Sequence, residues 1–177
     1  LIAVVRRRLT VPAAPEPRGR SAVAAEMAMT VGAGSLLAGI AGLALVGTHW
    51  YWAMVAAVAA LGGASTTARV VRGAQRLIGT GVGILLAAAL LMLPLPPLAV
   101  LAVAIVLQVC AELFVGRNYG LAMVFITPLA LLMIELAVPV DPGPLLRDRL
   151  VDTLLGVVVG TAVAVVSATV RRRRAQP

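Results

Sequence analysis

The stretch "RLIGTGVG", residues 76–83, returns in altered form as "RLVDTLLG", residues 149–156, and this repetition decides the fold. In both copies an arginine, a leucine, a threonine and a glycine hold the same relative positions at the start of a long apolar run. The glycines do not form a phosphate-binding loop, because no Gly-Lys-Ser/Thr sequence follows and no strand pattern precedes them. Small residues four positions apart instead let helix backbones approach closely in lipid. We therefore predict two helix-packing pairs: Gly79 with Gly83, and Gly156 with Gly160.

The composition places the chain in a lipid bilayer. The sequence is 61% hydrophobic and 12% charged, with a mean hydropathy of +1.03. Soluble domains keep about 25% of their residues charged to face water. The apolar excess must therefore contact lipid, and the bilayer is the first predicted partner.

Six stretches are long and apolar enough, or nearly so, to cross a membrane as helices of about 20 residues. The sequence thus predicts an all-α polytopic membrane protein with six transmembrane helices, forming a transporter domain over residues 23–170. Residues 1–22 form an Arg/Pro-rich cytoplasmic linker, which we expect to follow an upstream region, and residues 171–177 form a basic cytoplasmic tail. The six predicted spans are 23–46, 50–67, 76–94, 98–115, 118–138 and 149–170.

Arginine positions set the predicted orientation, because basic residues are retained preferentially on the cytoplasmic side. All 15 basic residues are arginine. With the N-terminal linker in the cytoplasm, only Arg147 and Arg149 fall on the outer side, and the opposite orientation would export the other 13. We predict a multi-pass protein of the inner (plasma) membrane with both ends cytoplasmic.

The repeat then predicts the internal symmetry. Arg76 opens the third span from the cytoplasm, whereas Arg149 opens the sixth from outside. The second and fifth spans also match, through "YWAMV" at 51–55 and "YGLAMV" at 119–124. Because each half has an odd number of spans, the halves run in opposite directions. The pattern indicates a three-plus-three inverted repeat, as in many secondary transporters.

Broken spans matched between the halves indicate a transport pathway. The second span ends in "LGGAS" at 61–65, and the fifth contains Pro128, beside Thr127, in "FITPLA". Pro128 cannot donate its backbone hydrogen bond, so it either exposes a carbonyl to the pathway or only kinks the helix. Arg76 and Arg149 likewise have two open interpretations: they snorkel to the interface, or they attract anions in a vestibule that Arg69 and Arg72 also rim.

Charged residues within spans are usually functional. Asp152 lies three residues after Arg149, on the same helix face. Glu112 has Gln108 one turn deeper and Arg117 nearby. We predict Glu112 and Asp152 as candidates for proton coupling, and interfacial ion pairs are the alternative role.

Several classes of function are excluded. One cysteine and one histidine leave no ligand set for zinc and no intramolecular disulfide, so we predict no metal and no cofactor. The net charge of +8 would suggest nucleic acid, but the arginines flank apolar runs and form no long basic face. Ser35 and His49 stand about 21 Å apart at helical rise, so no serine–histidine catalytic pair forms. We predict neither nucleic-acid binding nor enzymatic activity.

The chain also resembles a known family. "YWAMVAAV", "TARVVRGAQRLIGTGVG", "RNYGLAMVFITPLALL" and "RDRLVDTLLGVVVG" are similar, in this order over about 50–160, to the fusaric-acid-resistance-like (FUSC) membrane transporters, which include aromatic acid exporters. The resemblance implies a six-helix domain that moves organic anions or toxic aromatic compounds outward, often beside a second bundle or a cytoplasmic domain. A polar Gln-Pro-like break usual in the family is Ala-Leu-Gly-Gly here. Motif residues carried over are Trp52, Arg76, Gly79, Thr80, Gly83, Asn118, Tyr119, Thr127, Pro128, Arg149 and Gly156.

The leading hypothesis is therefore an exporter of small aromatic or other organic acids, working as a homo-oligomer or with a second transmembrane bundle. The alternative is a non-transporting scaffold that anchors a cytoplasmic domain or partner, which the absence of charge at the membrane midplane favours. The predicted substrate pathway comprises Arg76, Thr80, Gln108, Asn118, Tyr119, Thr127, Pro128 and Arg149.

Overall fold

The computed structural model describes residues 19–63, 65–138 and 140–174, and these residues form helices joined by short connections. The helical class predicted from the sequence is confirmed for this part of the chain. Predicted features at residues 1–18 and 175–177, which are most of the linker and the end of the tail, lie outside the described residues. The helices are α1 (Arg20–Leu45), α2 (Tyr51–Leu61), α3 (Thr66–Leu91), α4 (Pro97–Val115), α5 (Tyr119–Ala137) and α6 (Pro142–Arg174).

Five of these helices are long and apolar enough to cross a membrane, and α2 is not. With 11 residues, α2 is about 17 Å long, whereas the hydrocarbon core is about 30 Å thick. The predicted second span at 50–67 is therefore too long. The helix ends at Leu61 because Gly62 and Gly63 follow, and glycine weakens a helix.

Other helices are longer than the apolar windows that predicted them. The structure begins α3 at Thr66 instead of residue 76, because the Ser65 hydroxyl accepts a hydrogen bond from the Ala68 N–H at 3.1 Å and caps the first turn. It also begins α1 at Arg20, inside the predicted linker, and continues α6 through residues 171–174 of the predicted tail. Hydropathy marks the part of a helix in lipid, whereas backbone hydrogen bonding continues into the polar layers.

Removing the cap of α3 gives a small, local test of this boundary. In Ser65→Ala the first turn loses the side-chain acceptor for the Ala68 N–H, and we expect the free energy of unfolding to fall by about 1 kcal/mol. A detergent-unfolding titration in mixed micelles measures this. Thr67→Ala, two residues further along the same turn, removes no cap and should leave stability within about 0.5 kcal/mol of the parent.

The helices pair across the two halves of the chain. The most extensive contacts join α3 to α5 and α2 to α6. Gly79 packs on Gly120, and Gly83 packs on Thr127. Residue numbers therefore increase in the same direction along both helices, so α3 runs parallel to α5. The same criterion shows that α2 and α6 are parallel, because Gly156 lies beside Ala53 and Gly160 lies beside Ala57.

The two third helices of the halves, α3 and α6, run antiparallel. Gly73, near the start of α3, lies beside Val157, in the middle of α6. Ala87, near the end of α3, clusters with Leu145, at the start of α6. The first part of α3 and the first part of α6 therefore lie on opposite sides of the middle of the bundle.

Candidate functional site

Polar and charged side chains are buried where α3 packs on α5 and where α6 packs on α1 and α2. Buried polar groups normally have hydrogen-bond partners, and a charge inside a membrane usually marks function. Within the described residues, the atoms that are buried without a partner include Arg76 Nε, Thr80 Oγ1, Thr127 Oγ1, Arg149 Nε and Nη1, and both carboxylate oxygens of Asp152. The interior thus offers donors and acceptors to a ligand or to water.

The first of two arginine sites, the Arg76 site, consists of Arg72, Arg76, Tyr119 and Met123. Arg76 is 3% exposed, and its Nη1 donates to Tyr119 Oη at 2.8 Å and lies 3.4 Å from Met123 Sδ. The Arg72 guanidinium lies over the Tyr119 ring, 4.5 Å from its centroid, in a cation–π arrangement. The site therefore holds two guanidinium groups around one phenol, and the described residues place no carboxylate in contact with it.

The second, the Arg149 site, consists of Trp52, Arg149 and Asp152. The Arg149 guanidinium lies over the Trp52 indole, 3.6 Å from the ring centroid. Arg149 is 1% exposed and Asp152 is fully buried, and the two are close enough to interact electrostatically. No hydrogen bond or ion-pair contact joins them, so guanidinium N–H groups and carboxylate oxygens stay available.

Two neutral polar side chains are also buried near the arginine sites. Thr80 on α3 and Thr127 on α5 are fully buried, and neither hydroxyl has a partner. Pro128 is inside α5 and buried, and having no N–H it leaves the carbonyl of Val124 unpaired within the helix. That carbonyl faces α3, 3.0 Å from the position that a Cβ on Gly83 would take.

A groove lies next to the α3–α5 contact, on the exposed surface of the bundle. It has a volume of about 360 Å³ and is lined by residues 75–79 of α3 and by the first turns of α5. Asn118 lines it beside Gln75 and Gly79, although the Asn118 side chain also caps α5 by accepting from the Leu121 N–H at 3.1 Å. The predicted pathway residue Asn118 thus lies at the edge of the buried cluster.

Two predicted residues on α4 are not brought into the cluster. Gln108 and Glu112 are exposed, and Gln108 Nε2 donates to Glu112 Oε1 at 2.8 Å. No ion pair joins Glu112 to Arg117 in the described part of the chain. The exposed position arises because α4 packs mainly on α5 and turns this side away from it. The other predicted pathway residues are in or beside the two arginine sites: Arg76, Thr80, Tyr119, Thr127, Pro128 and Arg149.

Sequence reasoning did not assign a site role to Thr153 or Met123. Thr153 is fully buried, and its hydroxyl donates to the Arg149 carbonyl at 2.8 Å. The repeat could have identified Thr153 as a site residue, because it follows Arg149 by four positions, just as Thr80 follows Arg76. Met123 had no such signal, since only the parallel packing of α3 and α5 brings it to Arg76.

A separate polar contact closes the end of the bundle beside the Arg149 site. His49, in the α1–α2 connection, lies 3.0 Å from Asp148 (Nδ1 to Oδ2), near the start of α6. Both side chains are partly exposed. In the described residues no group of three or more His, Cys, Asp or Glu side chains could hold a metal ion.

Comparison with known proteins gives one match. The family model described as fusaric acid resistance protein-like matches residues 28–163, which contain all the residues of both arginine sites. No curated protein and no solved structure matches the sequence.

Proposed function

The chain belongs to the fusaric acid resistance protein-like family of multi-pass membrane transporters, and on this premise we propose that it exports small organic anions, chiefly aromatic carboxylates, across the inner membrane. The family and the apolar helices support a transporter role. The choice of substrate rests on the chemistry of the two arginine sites.

The observation that carries the proposal is that each site pairs a buried guanidinium with an aromatic ring. A guanidinium binds a carboxylate through two parallel N–H···O bonds, and unpartnered N–H groups remain at Arg76 and Arg149. The neighbouring rings of Tyr119 and Trp52 offer surfaces on which an aromatic substrate stacks. An aromatic carboxylate satisfies both features at once.

An anion-attracting vestibule leads into the Arg76 site. Ala60, near the end of α2, lies level with Gly73 of α3, so the first turns of α3 extend about 10 Å beyond α2. Arg69 and Arg72 lie on this extension, and Arg69 Nε donates to the Gly63 carbonyl at 2.9 Å. Their charge concentrates anions at this end. The arginine distribution along the chain favours this end as the cytoplasmic one.

The packing of the helices supports the proposed inverted repeat. In the proposed repeat, α1, α2 and α3 correspond to α4, α5 and α6. The α3–α5 contact then corresponds to the α6–α2 contact, and the α1–α2 contact corresponds to the α4–α5 contact. The two arginine sites lie on either side of the middle of the antiparallel α3–α6 pair, and Arg76 and Arg149 are still close enough to interact electrostatically. Under this proposal each site opens toward a different membrane face. We propose that α2 completes a sixth, short crossing and that rocking of one half against the other opens the two sites in turn.

Replacing Arg76 tests the function. We expect Arg76→Gln to lower the initial rate of benzoate flux from proteoliposomes by about tenfold, because it removes the charged donor of a charge-assisted hydrogen bond. The measurement uses the full-length protein, an imposed benzoate gradient and radiolabelled benzoate. The matched control is Arg117→Gln, which removes an exposed arginine near the same end of the bundle and should keep the parent rate.

Two results would contradict the proposal. If the parent protein carried no benzoate or other aromatic acid under any imposed gradient, the alternative role as a membrane scaffold would be favoured. If Arg76→Gln and Arg117→Gln lowered the flux equally, the effect would reflect net charge at that end, and the Arg76 site would have no specific part in transport.

A further inference from the structure

The two arginine sites differ in charge at one position of the repeated motif. Aligning "RLIGTGVG" at 76–83 with "RLVDTLLG" at 149–156 matches the two arginines, the two threonines and the final glycines. The fourth position is Gly79 in the first copy and Asp152 in the second. One site therefore contains a carboxylate where the other contains only a hydrogen atom.

Packing explains why an aspartate cannot replace Gly79 and how Asp152 is accommodated. A Cβ on Gly79 would collide with the backbone carbonyl of Gly120 and the side chain of Met123, so no side chain fits there. Asp152 instead faces α1 at Gly42, where a Cβ on the glycine would lie 3.2 Å from Asp152 Oδ1. The missing side chain of Gly42 thus makes the space in which the carboxylate is buried.

The charged surroundings of Asp152 are few. On α6 itself they are Asp148 and Arg149, and the α1–α2 connection contributes His49. On α1 the nearest charged residue in sequence is Glu26, about 24 Å from Gly42 at helical rise. The remaining titratable or charged groups near Arg149, on the other packed helices, are Tyr51 of α2, Arg76 of α3 and Tyr119 of α5.

We infer that Asp152 is an internal counter-anion of the Arg149 site, so that an organic carboxylate binds Arg149 only together with a proton that Asp152 takes up. Among the described residues Arg149 is the one guanidinium that interacts electrostatically with Asp152, and a second carboxylate bound to Arg149 would place two negative charges beside it in a region of low dielectric constant. In the bound state the substrate carboxylate neutralises Arg149, and Asp152 is a neutral acid.

The Arg76 site has no such requirement. Gly79 supplies no charge, and Arg72 adds a second cation at Tyr119, so an anion binds there without a proton. Binding of the carboxylate at the Arg149 site takes up one proton at Asp152, and its release gives that proton back, so the gradients of the carboxylate and of the proton together set the direction of transport. This inference rests on the proposed function for its substrate, but it concerns binding and can be measured without transport.

Trp52 reports on the Arg149 site directly. In the Trp50→Phe variant, Trp52 is the only tryptophan left in the chain, and its fluorescence follows benzoate binding beside Arg149. In this background we expect the Kd for benzoate to rise by up to about tenfold per pH unit over the range in which Asp152 loses its proton. Adding Asp152→Asn should make the Kd independent of pH and lower it by about tenfold or more at neutral pH.

Matched controls separate Asp152 from its neighbours. Asp148→Asn makes the same chemical change one turn earlier on α6, and His49→Gln removes the imidazole that contacts Asp148. Both should retain the pH dependence of benzoate binding. Retention of that dependence in Asp152→Asn, or its loss in either control, would overturn the inference.

A second measurement needs no substitution at Asp152. Benzoate added to the weakly buffered Trp50→Phe protein should cause uptake of about one proton for each benzoate bound at the Arg149 site. Binding without proton uptake, or no binding at any pH, would refute the inference. Proton-linked binding without benzoate flux would refute the proposed function alone, whereas flux with binding that is independent of pH would refute the inference alone.

Discussion

Gly156→Ala is expected to lower the free energy of unfolding by about 3 kcal/mol or more, a large effect for a single added methyl group. A Cβ on Gly156 would collide with the Ala53 carbonyl and would lie 2.5 Å from Ala56 Cβ. Neither neighbour can rotate away, because one is backbone and the other is a methyl group. The α2 and α6 helices must therefore separate, which loses packing over their whole contact.

Gly81 is the matched control, and its replacement by alanine should change the free energy of unfolding in the opposite direction. Gly81 is in the middle of α3, and no atom lies within 4 Å of the position that its Cβ would take. Gly81→Ala should leave the packing intact and stabilise the helix by up to about 1 kcal/mol. Detergent-unfolding titrations in mixed micelles compare the two variants. Equal stability of Gly156→Ala and Gly81→Ala would show that α2 and α6 are not in close contact.

Arg149→Met is expected to destabilise the protein by about 3 kcal/mol, because it leaves the buried Asp152 carboxylate without the guanidinium that interacts with it electrostatically. Methionine keeps the apolar stem of arginine and most of its packing volume, but it loses the guanidinium contact with the Trp52 indole. Adding Asp152→Asn to Arg149→Met removes both charges together. The double variant should recover about 2 kcal/mol, since the two groups are coupled and their separate effects do not add.

Arg147 provides the control for this cycle. It is exposed two residues earlier on α6, so Arg147→Met should change stability by no more than about 0.5 kcal/mol. The four proteins are compared by the same unfolding titration. If Arg149→Met were no less stable than Arg147→Met, or if Asp152→Asn gave no recovery, Asp152 and Arg149 would not act as a buried charge pair.

The candidate site was predicted in part because its arginines and threonines occur in a repeated motif. Arg76, Thr80 and Arg149 stand out in the sequence as polar residues at matched positions in apolar runs. Gln108 and Glu112 stand out equally, yet the structure exposes them on α4. No periodicity could separate these cases, because the lipid-facing side of a membrane helix is as apolar as the packed side.

The sequence alone determined the membrane class and most of the helices, since hydropathy adds up along the chain and needs no partner, and it showed that the arginine motif occurs twice. Tertiary structure decided which polar residues are buried, that α2 stops after 11 residues, and that Arg76 meets Tyr119 while Arg149 meets Trp52. These features depend on which helix faces which and in what direction. Asp152 is an example of both. The sequence shows a carboxylate within an apolar helix, but the burial of that carboxylate opposite Gly42 arises only when α6 packs on α1.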